Sequence, residues 1–245
     1  MASVNIRAVL ASLPSRPWVA GLVDVFSDRI NLYTLLELAH GGTLADLIQN
    51  SGPFDSRTAS FYFSNIVCGL GFLHRQGIVH RDVKPDNLLV NADGYLVLTD
   101  FGLSVMEKDT RGDFEDFRDE GTDAYMAPEL DVKPRDKFIP QAVDWWAAGV
   151  VLFQMVTKRL PFNAPTKTRL VERIQSGQCR WWKRLRIKPQ LKNIIRGLLK
   201  HYPRQRLGSN CIEDVMGHPW LQDINWNMME KRLYSAPWTP PPLRL

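Results

Sequence analysis

The run from Ala142 to Val156 is the longest apolar stretch of the 245-residue chain and sets the tightest limit on its fold. As a helix it rises only about 22 Å, short of the roughly 30 Å hydrocarbon core of a bilayer. It also carries Asp144 and Gln154. Such a segment is a helix wrapped by protein, and the charge within it is costly unless hydrogen-bonded. The chain is 44% hydrophobic and 23% charged, a globular mix that excludes a wholly disordered or fibrous chain. Lys plus Arg outnumber Asp plus Glu by 31 to 26, so the net charge of +5 permits acidic partners without demanding nucleic acid. Cys68, Cys179 and Cys211 lie far apart with no CxxC spacing. That argues against a disulfide framework or zinc site and for a reducing, intracellular compartment, cytoplasmic or nuclear.

The order of elements points to an α+β chain dominated by helix. Arg7 and Arg16, with no acid before Asp24, faintly match a transit peptide, but Val4, Ile6, Val9, Leu10 and Leu13 read better as the end of an amphipathic helix. Residues 21–28 and 30–39 are rich in aliphatic and β-branched side chains and predict two strands around a turn at Ser27–Arg29. A short helix follows from Thr43 to Asn50. Pro53-Phe54-Asp55 opens a long one to about Arg75, whose Ala59, Phe63, Ile66, Leu70 and Leu73 predict one buried face. Leu88–Val90 and Tyr95–Leu98 flank Asn91-Ala92-Asp93-Gly94, a hairpin signal. Helices are predicted at 141–157, 166–176, 190–199 and 211–217, before an extended Pro-rich end at 237–242.

Three motifs carry the chemistry: His80-Arg81-Asp82-Val83-Lys84-Pro85-Asp86-Asn87, then Asp100-Phe101-Gly102, then Gly121-Thr122-Asp123-Ala124-Tyr125-Met126-Ala127-Pro128-Glu129. In this order and spacing the chain resembles a eukaryotic protein kinase. Lys84 after Asp82, with Thr122 after Gly121, resembles the serine/threonine class. His218-Pro219-Trp220 and Ala236-Pro237-Trp238-Thr239-Pro240 are similar to the tail of the AGC group, which contains the cyclic-nucleotide-dependent kinases.

The resemblance implies a kinase-like α+β fold with a complete helical C-lobe at 40–220 and the start of an AGC-type tail at 221–245. Residues 1–39 are then a remnant N-lobe and hinge, with the end of one long helix and two strands. It implies ATP-dependent phosphoryl transfer to protein hydroxyls, with Asp82, Lys84 and Thr122 catalytic. Asp82 accepts the hydroxyl proton, and Lys84 reaches the moving phosphoryl group as a point charge. Asn87 and Asp100 are hard oxygen ligands suited to magnesium. The Glu37 carbonyl and Ala39 amide meet adenine, Leu89 forms its floor, and Lys84, Asn87 and Asp100 serve the phosphates and metal. Asp144 anchors the catalytic loop, Arg206 pairs with Glu129, and Leu10, Leu22, His80 and Phe101 occupy the positions of a stacked hydrophobic column.

The departures matter as much. There is no GxGxxG, and the first 20 residues hold no lysine. Aligned to the family, the chain begins inside the first long helix, with Ile6 at the position of the paired Glu. Efficient activity of these residues alone is therefore not expected, and an inactive pseudokinase serving as a scaffold is the alternative. Thr43 replaces an acid that follows Gly-Gly in many relatives, which leaves a preference for basic substrates in doubt. Arg118 stands at the usual activation-loop phosphorylation position. One of Asp113, Glu115, Asp116, Asp119 or Glu120 pairs with Arg81 in place of a phosphate, or else these acids form a solvated loop. Trp181-Trp182-Lys183-Arg184 reads as an anchored loop with basic stems, not a nucleic-acid surface. The partners implied are protein substrates or binding proteins, with neither nucleic acid nor membrane. The uncovered strands at 21–39 predict exposed apolar surface and self-association.

Overall fold

The computed structural model describes residues 17–107, 121–130, 138–177, 179 and 187–243. The helix expected at Val4–Leu13, Leu10 of the column, the acidic segment with Arg118, and Trp181–Arg184 lie outside them. Seven α-helices and six strands are described, an α+β architecture.

The first unit is an antiparallel hairpin of β1 (Leu22–Ser27) and β2 (Leu32–Leu36), in register from Ser27 opposite Leu32 to Asp24 opposite Leu35, with a bulge at Val23 that sets Leu22 opposite Leu36. Its turn is wider than the sequence predicts. Asp28 Oδ1 accepts from the amides of Ile30 and Asn31, and Tyr33 donates its hydroxyl to Oδ2. These donors hold the Asp28 carboxyl down at about 2. Val23, Phe26, Ile30, Tyr33 and Leu35 are all exposed, so the hairpin leaves apolar surface in solvent. At its base, Leu22 and Leu36 pack against the core.

The rest is helical and built around two long elements. Thr43 caps α1 (Leu44–Asn50) through a reciprocal box with Asp46. Asp55 caps α2 (Ser56–Arg75), accepting from the Thr58 amide at 2.7 Å. The single buried face expected for α2 is corrected by the structure, since every residue from Phe61 to Leu73 is buried. The C-terminal segment covers the outer side. Asn65 of α2 donates to the Met229 sulfur, and its Oδ1 accepts from the Leu96 amide. The apolar run forms α3 (Ala142–Thr157), with fifteen of its residues buried. It packs on α2 and on α5 (Pro189–Leu198). Helices α4 (Lys167–Gln175), α6 (Glu213–Met216) and α7 (Trp226–Glu230) complete the set.

Two small antiparallel pairs flank the His80–Asn87 and Asp100–Gly102 motifs. β3 (Ile78–Val79) pairs with β6 (Val105–Met106), which the sequence reading did not separate from loop. β4 (Leu88–Val90) pairs with β5 (Leu96–Leu98) as the Asp-Gly signal predicts. The tail seals the turn between them. A Cβ on Gly94, at φ 79°, would sit 2.2 Å from the Trp238 carbonyl oxygen. Tyr95 donates its hydroxyl to the Tyr234 carbonyl and accepts from the Tyr234 amide.

Candidate active site

Asp82 is the centre of the site. It lies in the loop after β3, and each of its oxygens is held. Thr122 donates to Oδ1 at 2.8 Å, while Lys84 and Asn87 donate to Oδ2 at 2.6 and 2.9 Å. Lys84 also donates to Thr122 Oγ1 at 2.9 Å, closing a triangle. A carboxylate offers about four lone-pair sites. Three are used, and the one left is on Oδ1. Burial pushes the Asp82 carboxyl up, but the bonds from Lys84 and Thr122, the Lys84 charge and the Asn87 bond outweigh it, so it lies below the usual range.

The loop holding Asp82 is suspended from α3. Asp144 is fully buried and accepts from the His80 amide at 2.9 Å, the Arg81 amide at 2.8 Å and His74 Nε2 at 2.8 Å. Burial raises its pKa, and the bonds from His74 and from the His80 amide more than reverse that, so it stays ionised. These bonds hold Arg81 at φ 70°, a conformation costly for a side chain of its size. His80 donates from Nε2 to the Thr99 carbonyl at 2.9 Å, and Ser104 donates to the His80 carbonyl. The His80 and Phe101 rings lie 5.1 Å apart, which keeps that part of the expected column in contact.

Asn87 and Asp100 are brought side by side by the β4–β5 hairpin, where the Thr99 amide donates to the Asn87 carbonyl at 3.0 Å. Asn87 spends its amide donors on Asp82, which leaves Oδ1 without a donor among the described residues. Among the described residues Asp100, at φ 58°, accepts only from the Gly102 amide at 3.2 Å. Asn87 Oδ1 and Asp100 Oδ2, two hard oxygens with no donor among the described residues, suit a divalent cation that keeps waters and phosphate oxygens in its shell. Among the described residues no three His, Cys, Asp or Glu side chains form a metal-ligating cluster.

The hinge is tied to β4. Gly41 donates to the Val90 carbonyl and Val90 to the Gly42 carbonyl, both at 2.9 Å, which sets Leu89 beside the 37–42 segment. The Glu37 amide donates to the Gly21 carbonyl, while the Glu37 carbonyl and the Ala39 amide make no hydrogen bond to a described residue. A cavity of about 270 Å³ against this segment is lined by Pro17, Val19, Ala20, Asn91 and Val97, and does not reach Leu89.

A second buried ion pair supports the loop of Thr122. Arg206 is bidentate to Glu129 at 2.6 and 2.8 Å and donates to the Ala142, Lys200 and His201 carbonyls. Gly208 sits beside it at φ 87°, where a Cβ would be 2.6 Å from the Trp145 ring.

A model of the protein kinase domain matches residues 6–221. The chain belongs to the protein kinase family. This kinase is 36% identical over 238 residues to cAMP-dependent protein kinase catalytic subunit 3 of Drosophila melanogaster, covering 96% of this chain and 39% of that protein. It is 35% identical over 240 residues to ribosomal protein S6 kinase beta of Caenorhabditis elegans, covering 96% and 42%. It is 34% identical over 233 residues to serine/threonine-protein kinase sck1 of Schizosaccharomyces pombe, covering 95% and 33%. The chain thus spans about a third to two fifths of these relatives, and the match is to AGC-like serine/threonine kinases.

Of the predicted residues, Asp82, Lys84, Thr122 and Asn87 share one hydrogen-bonded cluster, with Asp100 adjoining. Glu37, Ala39 and Leu89 form a separate strip at the hinge. Sequence reasoning missed Ser104, Thr99 and the Tyr125–Gln154 hydrogen bond of 2.6 Å. Their partners are distant in sequence or are main-chain atoms, so no local pattern marks them. No helix among the described residues is long and apolar enough to cross a membrane.

Proposed function

We propose that the chain is the helical lobe and hinge of an ATP-dependent serine/threonine protein kinase, with residues 1–39 and 221–245 as its N-lobe remnant and tail. The observation that carries this reading is the Asp82 carboxylate, held by Thr122, Lys84 and Asn87 with one Oδ1 lone pair left over. A serine or threonine hydroxyl donating to that lone pair is oriented for in-line attack and surrenders its proton there. A carboxylate of lowered basicity suffices, because phosphoryl transfer rests on positioning and charge stabilisation more than on a strong base. Lys84 is close enough to share its charge with the phosphoryl group. Asn87 and Asp100 would hold Mg²⁺, which neutralises charge on the phosphates when bound. The Glu37 carbonyl and Ala39 amide are spare acceptor and donor for adenine, over Leu89. The free cysteines fit an intracellular setting.

A second reading, a binding or scaffolding module, is favoured by the exposed β1–β2 hairpin, which could also drive self-association. The sequence holds no GxGxxG to form a roof over the adenine. Leaving roughly 100 Å² of adenine uncovered forfeits about 2–3 kcal/mol of binding. For the 245-residue polypeptide, calorimetry is expected to give Mg-ATP binding weaker than low micromolar, with phosphorylation of a serine peptide near background. Whatever transfer is measured should fall at least about 100-fold in Asp82→Asn. Transfer that survives this substitution overturns the kinase reading. A low-micromolar dissociation constant with Asp82-dependent turnover overturns the impairment.

A further inference from the structure

The hairpin that ends in the two candidate metal ligands is too short to hold itself. β4 and β5 supply three residues each, and a two-stranded hairpin alone is marginal in water. Asn87 and Asp100 lie at its open end, beside the rung of Leu88 and Leu98. The main chain of Leu98 is held on its outer side by residues from the start of the described chain. Its amide donates to the Trp18 carbonyl at 2.9 Å, and its carbonyl accepts from the Ala20 amide at 2.8 Å. Where Trp18 sits therefore sets where β5 delivers Asp100.

Trp18 is clamped by a residue from the far end of the sequence. Arg232 follows α7, and its guanidinium lies 4.9 Å from the centre of the Trp18 ring and 5.3 Å from that of Tyr95, the residue before β5. The third contact is Asp93 in the hairpin turn, which accepts from Nη1 at 3.0 Å. Tyr234 brackets the Tyr95 hydroxyl with its own amide and carbonyl, which keeps that ring against the cation. One side chain thus ties the turn, the second strand and the Trp18 segment together.

The placement is costly in two ways. Arg232 stands at φ 53°, in the left-handed region that favours glycine. Its side chain is only 12% exposed, and Nε and Nη2 are buried with no hydrogen-bond partner among the described residues. The π faces of Trp18 and Tyr95 meet the cation instead, an attraction that strengthens where water is excluded. A strained and incompletely hydrogen-bonded arginine is more than tail packing requires, which points to a role in what it holds.

We propose that Arg232 is a positioning residue for the metal pair: by clamping Trp18 to the hairpin it fixes the separation of Asn87 Oδ1 and the Asp100 carboxylate, and with it the affinity for a divalent cation. This rests on the reading that Asn87 and Asp100 hold Mg²⁺. Arg232→Gly removes the clamp and suits the positive φ, so the backbone is kept. Arg232→Lys keeps a charge for Asp93 and loses the planar stack. Trp226→Phe is the control, since it gives up the bond from Nε1 to the Met216 carbonyl in the same C-terminal segment. The probe is Mn²⁺ alone, read by its paramagnetic broadening of the Asp100 and Gly102 amide signals of the isotope-labelled chain, with thermal unfolding as the check on folding. R232G is expected to need about tenfold more Mn²⁺ for half-broadening. R232K should need an intermediate amount, and W226F should change the requirement by less than about twofold. Hydrogen exchange at the Leu98 amide should quicken about tenfold in R232G and stay unchanged in W226F. An unchanged Mn²⁺ requirement in R232G, or an equal loss in W226F, overturns the proposal. A native chain in which Mn²⁺ broadens neither amide overturns the metal reading and the proposal with it. Leu98 exchange separates these failures, because it quickens in R232G only if the clamp is real.

Discussion

Replacing Asp144 by Asn tests whether the loop of His80–Asp82 truly hangs from α3. The side chain keeps its shape, so packing is preserved. One oxygen remains and still accepts from one main-chain amide. The other becomes an NH₂ group aimed at donors. On the observed geometry Oδ2 receives both the His80 amide at 2.9 Å and His74 Nε2 at 2.8 Å. The buried His80 amide and the part-buried His74 ring thus lose their acceptor, at roughly 1–3 kcal/mol each. About 4 kcal/mol in total translates to a fall in melting temperature of roughly 8–16 °C for a chain of this size. His74→Gln removes one partner only, so its effect should be less than half as large. Differential scanning calorimetry of the three proteins at neutral pH measures both. A shift under about 3 °C for D144N, or a larger one for H74Q, would refute the reasoning, because the loop amides would then find their acceptors elsewhere.

Acidification should destabilise the protein from near pH 6.5 downward. Burial depresses the folded-state pKa of His80 against the pull of Asp144 and the Thr99 carbonyl, and burial also depresses that of His218. The unfolded chain then takes up protons first, at about pH 6.5. The stability contributed by the neutral rings is complete above that value and drains as pH falls toward the folded pKa values. A melting temperature that rises between pH 6.5 and 5 contradicts this, and His218→Gln should reduce the slope. Glu129→Gln leaves Arg206 buried with half its fork unanswered and should cost about 3–5 kcal/mol; a urea midpoint equal to that of the native chain would show that the carbonyls of Ala142, Lys200 and His201 suffice.

Legibility followed the range of the forces involved. Caps and turns are local, and Thr43, Asp55 and Gly94 were readable because each acts within three residues of itself. The charge of Asp144 was readable as an anchor because an apolar helix gives a lone acid no other use. The positive φ of Arg81 and Asp100 was not. Neither is a glycine, and the strain is held by distant partners, Asp144 for the one and the β4–β5 hairpin for the other. The complete burial of α2 was hidden for a similar reason. Ser60, Ser64 and Asn65 dilute its apolar pattern, and Asn65 is satisfied only when Met229 and Leu96 arrive from elsewhere in the chain. The strip of Glu37, Ala39 and Leu89 could be named from resemblance, whereas the ties of Gly41 and Gly42 to Val90 that hold it are main-chain bonds with no side-chain signature.

The site's electrostatics favour placement over basicity. Three donors on Asp82 lower its proton affinity, which would handicap a general base for a hard deprotonation. For a transfer in which the attacking oxygen needs little help, the same donors are an advantage, because they fix both carboxylate oxygens and leave a single direction for the incoming hydroxyl. That direction is only as firm as the loop carrying Asp82, and the loop's amides end on a carboxylate buried in the most apolar helix of the chain. The fold therefore spends its most costly buried charge on orientation. On the kinase reading proposed above, substitutions at Asp144 should disorder the acceptor's approach as surely as substitutions at Asp82 remove the proposed proton acceptor.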